Sequence, residues 1–136
     1  QLQVLIDKNG ITNTFILNEP VSQIEDKYLE SSIYIMSSRF EGFPMVLLEA
    51  MSCGLPCVSF DCPNGARDMI QDGQNGFLVD YLNVEMLADK ICVLMGNEGL
   101  RVEMGKRSRE YVAKYDNNQI MILWENLFND LSKIGK

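Results

Sequence analysis

The chain of 136 residues contains no histidine. Without an imidazole it cannot build a Ser-His or Cys-His nucleophile system, so any catalysis must rest on carboxylates, backbone amides or another domain. The four cysteines, Cys53, Cys57, Cys62 and Cys92, show no Cys-x-x-Cys spacing and lack a histidine to complete a zinc site, so they read as core thiols. No Lys/Arg-rich block occurs either. With 19 acidic against 12 basic residues and a net charge of -7, nucleic acid is excluded as the expected partner. There is no signal peptide and no run of eighteen apolar residues, so the expectation is a cytoplasmic domain that does not itself span a membrane.

What is present is apolar. Hydrophobic residues make up 46% of the sequence, enough for one domain with its own core, while the length is too short for two ordinary domains. The opening, Gln1 to Gly10, resembles the second half of an amphipathic helix stopped by glycine. With no initiator methionine, it predicts a chain that continues upstream. Thr12–Leu17 alternates β-branched and aromatic residues and predicts a strand. Ser22, with Glu25 three residues on, predicts an N-cap for a helix running to about Glu30.

Further along, Ile33–Met36 predicts a short strand covered on both faces, and Pro56–Phe60 and Gly76–Val79 predict two more. Asp61–Gly65 reads as a loop and Ala66–Gln71 as a short helix. Apolar positions Val84, Leu87, Ile91 and Leu94 mark a helix stripe between Asn83 and Gly96. Further helices are predicted over Leu100–Tyr115 and Asn117–Lys133. Strands alternating with helices of this length predict an α/β class, a doubly wound, Rossmann-like parallel sheet. Such sheets take ligands outside the carboxyl ends of their strands.

One segment at that edge stands out. Glu41-Gly42-Phe43-Pro44-Met45-Val46-Leu47-Leu48-Glu49-Ala50-Met51-Ser52-Cys53-Gly54 predicts a helix with Pro44 at its first position and Gly54 just past its end. Roughly ten residues at about 1.5 Å each give it a length of about 15 Å. It carries no Lys or Arg and is apolar on nearly every side, the pattern of a buried helix. An ionised carboxylate buried without partners is costly, so Glu49 must meet strong donors, open onto a cleft that a ligand fills, or sit at the helix edge and reach solvent. Glu41, eight positions earlier, follows the Met36 strand, and both carboxylates therefore fall near the expected crevice.

The segment Ser38 to Val58 resembles the signature of family 4 retaining glycosyltransferases: a Ser, a Glu-Gly-Phe turn, a second Glu eight residues on, then Ala-Met and Gly-x-Pro. Gly65-Ala66-Arg67-Asp68-Met69-Ile70, with Asp72-Gly73 and Asn75 to Val79 after it, resembles that family's next block. The resemblance covers about two thirds of the chain in order. It implies the GT-B fold, two Rossmann-like domains facing across a cleft, with residues 1–136 as the C-terminal, nucleotide-sugar-binding half.

Residue by residue, the resemblance gives Glu49 the ribose hydroxyls and sets Glu41 against the transferred sugar as the catalytic carboxylate. The N–H groups of Gly42, Phe43, Met45 and Val46, at a helix N-terminus, would suit diphosphate and sugar oxygens. Two departures stand out: Pro44 where the family usually has Gly, and Asp68 where it usually has Glu. The family's diphosphate-neutralising Arg and Lys would lie upstream of Gln1.

The activity so implied is transfer of a sugar, with retention and without a metal, from a nucleoside-diphosphate sugar to a hydroxyl acceptor that is itself a sugar or a lipid-linked sugar. A UDP-sugar is the favoured donor, used as substrate, and no cofactor is needed. The setting would be cell-surface polysaccharide or glycolipid synthesis, at the inner face of the membrane, with any peripheral membrane contact made through the other domain. The alternatives are a nucleotide-sugar epimerase or a phosphorylase of the same architecture, and a non-catalytic α/β binding or regulatory module in which Glu49 is a surface residue.

Overall fold

The computed structural model describes residues 1–134. In chain order its helices are α1 (Leu2–Lys8), α2 (Ile24–Glu30), α3 (Met45–Ser52), α4 (Ala66–Met69), α5 (Val84–Met95), α6 (Glu98–Val112) and α7 (Asn117–Ile134). The strands are β1 (Tyr34–Met36), β2 (Cys57–Phe60) and β3 (Gly76–Val79), and a 3-10 turn, Ala113–Tyr115, follows α6. The strands form a parallel sheet in the order β1-β2-β3, with Tyr34 opposite Cys57 and Val58 opposite Phe77.

Every residue of the central strand β2 is buried. Its side chains alternate between two cores, as the period of two in a strand requires. Cys57 joins Leu47, Ala50 and Met51 of α3 and Met69 of α4, whereas Val58 and Phe60 join Leu87 and Leu94 of α5 and Met104 of α6. Both faces are thus covered by helices, the doubly wound, Rossmann-like arrangement. Burial of Leu47 and Met51, each fully enclosed, contributes roughly 1.5–3 kcal/mol apiece to fixing α3 on the sheet.

Several sequence expectations are corrected. Thr12–Leu17 forms no strand: the N–H groups of Thr14 and Phe15 turn back to the Ile11 carbonyl, and Phe15, Ile16 and Leu17 lie exposed. A strand needs a neighbour for its backbone groups, and among the described residues the sheet ends at β1. β1 is accordingly an edge strand with Ile35 exposed, not one covered on both faces. Ser22 caps nothing, because α2 starts two residues later with Gln23 at its N-cap.

Pro44 is the N-cap of α3 rather than its first helical residue, and α3 buries one face only, leaving Met45 and Val46 exposed. On α5, Leu87 and Leu94 enter the core while Val84 faces outward. Cys57 and Cys62 are core thiols as expected, but Cys53 is only half-buried and Cys92 is exposed. The helix α7 stacks Trp124 on Phe128 with ring centroids 5.6 Å apart, and both rings remain exposed.

Candidate functional site

The chain leaves β1 at its carboxyl end, crosses Ser37 to Pro44, and turns into α3. Glu41 is half-buried in that crossing, and Gly42 and Phe43 are exposed. Two carbonyl-directed bonds set the start of the helix: Leu47 N–H and Leu48 N–H both donate to the Pro44 carbonyl, at 2.9 and 3.3 Å. No side chain caps α3. Met45 N–H donates to the Phe43 carbonyl at 2.9 Å. The N–H groups of Gly42, Phe43 and Val46 meet no acceptor among the described residues. A helix start of this kind presents unspent donors and the positive end of the helix dipole together.

Beneath the turn lies the loop after β2. Asn64 and Gly65 take successive positive φ values of 65° and 88°, which bring the Gly65 backbone against the Pro44 ring and the Gly42 carbonyl. The loop is tied by Arg67, which forks onto both carboxylate oxygens of Asp61. On the other side Phe43 meets Tyr115 edge-on, with centroids 5.8 Å apart. Pro44, whose ring is buried, therefore serves as the fulcrum of the turn: sheet-edge loop below, aromatic support beside.

Glu49 lies in the second turn of α3 and is half-buried. The Tyr28 hydroxyl donates to its Oε2 at 3.1 Å. Tyr28 in turn meets Tyr34 of β1 edge-on at 5.8 Å. Burial, and secondarily the Glu49 carboxylate, push the Tyr28 phenol well above its usual range. Tyr34 is also raised, first by burial and then by Cys57, with Glu41 and Glu49 adding to the shift. A separate concavity of about 280 Å³, lined by Leu48, Ser52, Arg109, Val112 and Tyr115 among others, includes neither carboxylate.

The expected residues Glu41, Gly42, Phe43, Met45, Val46 and Glu49 thus follow one another through the crossing after β1 and the first two turns of α3. Sequence reasoning missed Tyr28, Tyr34, Gly65 and Tyr115. Only Gly65 carried a usable signal, as part of an Asn-Gly pair.

Against known proteins, the model for glycosyl transferases group 1 matches residues 1–111. An exopolysaccharide phosphotransferase of Streptomyces coelicolor is 34% identical over 132 residues, 96% of this chain and 14% of that protein. A poly(ribitol-phosphate) alpha-N-acetylglucosaminyltransferase of Staphylococcus aureus is 35% identical over 129 residues, 93% of this chain and 26% of that protein. Among solved structures, a mutant of S. aureus TarM in complex with fondaparinux, alpha-GlcNAc-glycerol and UDP superposes with a TM-score of 0.89 at 30% identity, covering 94% of this chain and 26% of that one. The chain therefore spans about a quarter or less of these relatives.

Proposed function

We propose, because this chain belongs to the group 1 glycosyl transferases, that it is the donor-binding half of an enzyme moving a sugar from a nucleoside diphosphate to a hydroxyl acceptor. The observation that carries this reading is the pairing of an uncapped helix start, with unspent N–H groups at Gly42, Phe43 and Val46, and a half-buried carboxylate one turn further along the same helix. The N–H groups suit diphosphate oxygens, because fixed donors and helix dipole both favour negative charge. Two vicinal ribose hydroxyls offer two donors to one carboxylate, which offsets the cost of holding Glu49 away from water. Met45 can join the phosphate ligands only by releasing the Phe43 carbonyl.

In this reading Glu41, earlier in the same turn, faces the transferred sugar. It favours the positive charge that develops on the sugar ring as the bond to the diphosphate lengthens. The helix start stabilises the departing diphosphate, and the rest of the acceleration comes from holding donor and acceptor in line. UDP is the favoured nucleotide, in keeping with the UDP present in the TarM complex. The setting is synthesis of a cell-surface polysaccharide or glycolipid, as the names of the relatives suggest. The acceptor is held by a second Rossmann-like domain.

In the full-length protein, Glu49→Gln replaces a charged acceptor of two hydroxyls by an amide. A hydrogen bond to a charged group is worth about 1.5–3 kcal/mol, so UDP affinity should fall roughly ten- to a hundredfold. Titration calorimetry of both proteins measures this. Equal affinity would make Glu49 a structural carboxylate.

A further inference from the structure

Tyr28 lies outside the sequence motif that carries the functional reading, yet among the described residues its side chain is the one that hydrogen-bonds Glu49. It reaches across from α2 to α3, and at 6% exposure its ring is part of the core. The edge-on contact with Tyr34, at an interplanar angle of 78°, fixes the plane of that ring. A buried hydroxyl without a partner is costly, so the direction of the O–H is fixed as well. Burial keeps the phenol protonated, and it therefore remains a donor to the carboxylate.

A carboxylate has about four lone-pair sites on its two oxygens. Tyr28 occupies one of them, on Oε2, and among the described residues no other hydrogen bond falls on the carboxylate. An unrestrained Glu side chain samples several rotamers and must lose them when a ligand binds, whereas one already held in place loses less. We infer that Tyr28 is a positioning residue for the donor site: its hydroxyl holds the Glu49 carboxylate in the orientation that receives the two ribose hydroxyls. The inference rests on the reading of Glu49 as the ribose acceptor.

The test uses the full-length protein, with UDP and 2′,3′-dideoxy-UDP as probes, and the variants Tyr28→Phe, Glu49→Gln and the two combined. Tyr28→Phe keeps the ring and its contact with Tyr34. It should weaken UDP about three- to tenfold, a partial loss of the charged hydrogen bonds. Affinity for the dideoxy nucleotide, which has no hydroxyls to present, should change by less than about twofold, and in the Glu49→Gln background Tyr28→Phe should likewise add less than about twofold. The loss should fall on the KM for the donor more than on kcat. Tyr28→Met, which keeps bulk without a donor, should show the same selectivity between the two nucleotides.

A hydroxyl that serves only the fold would lower the melting temperature and leave UDP affinity unchanged, or weaken both nucleotides alike. Either result, with Glu49→Gln selectively weakening UDP, overturns the role of Tyr28 and leaves that of Glu49 standing. Wild-type UDP affinity in Glu49→Gln overturns both.

Discussion

Glu41→Gln in the full-length enzyme should lower turnover by about a hundred- to a thousandfold while leaving UDP affinity nearly unchanged. In the proposed reading Glu41, which precedes the turn that offers its N–H groups and lies eight residues before the carboxylate assigned to the ribose, is the carboxylate set against the sugar end of the donor. A negative charge there contributes little to a bound nucleoside diphosphate that carries no sugar. It contributes most when the sugar ring gains positive charge, and an interaction stronger in the transition state than in the ground state appears in kcat rather than in binding. The amide keeps the shape and removes the charge. Titrating UDP and timing transfer on the same preparation separates the two effects. Normal turnover at saturating donor, with UDP affinity lost, would move Glu41 from the sugar to the nucleotide.

Gly65→Ala should destabilise the protein by about 2–4 kcal/mol, combining the cost of a positive φ for a residue with a Cβ and that of overpacking. The added Cβ would overlap the Cδ of Pro44 and press on the Gly42 carbonyl oxygen at 3.3 Å. A buried proline ring at a helix N-cap has no rotamer by which to retreat, so the strain passes into the Gly42–Pro44 turn. Chemical denaturation of the variant measures the loss. UDP affinity should also fall, since the displaced turn carries the N–H groups offered to the diphosphate. A variant as stable as wild type would mean that the loop and the turn move independently. The usual glycine at position 44 in the resembled family would relieve this contact, so Pro44→Gly should restore part of the loss in the Gly65→Ala background.

How much of this was legible in the sequence depends on whether a feature is local. β2 and β3 fell where their apolar runs placed them, because strands covered by helices on both faces need no further information. The start of α5 was legible for a similar reason: Asn83 accepts from Met86 N–H at 3.0 Å, a bond contained within four consecutive residues. Glu41 and Glu49 are linked by one turn and one short helix, so their order after β1 follows from the local sequence.

Thr12–Leu17 shows the limit. Its alternation describes what the segment does beside a strand, and in the described residues it has none to join. Ser22 had the right chemistry for a cap, but α2 began where Tyr28 could reach the core. The bond between Tyr28 and Glu49 joins residues 21 apart and is set by the packing of α2 on α3, for which neither residue type nor spacing gives a sign. The same holds for Gly65 on Pro44: the Asn-Gly pair announced a turn, and only the fold says what the turn supports.

A crystal structure of the full-length protein with UDP decides whether the α3 start and Glu49 together hold a nucleoside diphosphate. Both ribose hydroxyls are expected within about 3 Å of the Glu49 carboxylate oxygens, and phosphate oxygens on the N–H groups of the Gly42–Val46 turn. UDP bound with its ribose turned away from Glu49, or with its phosphates off this turn, would contradict that arrangement.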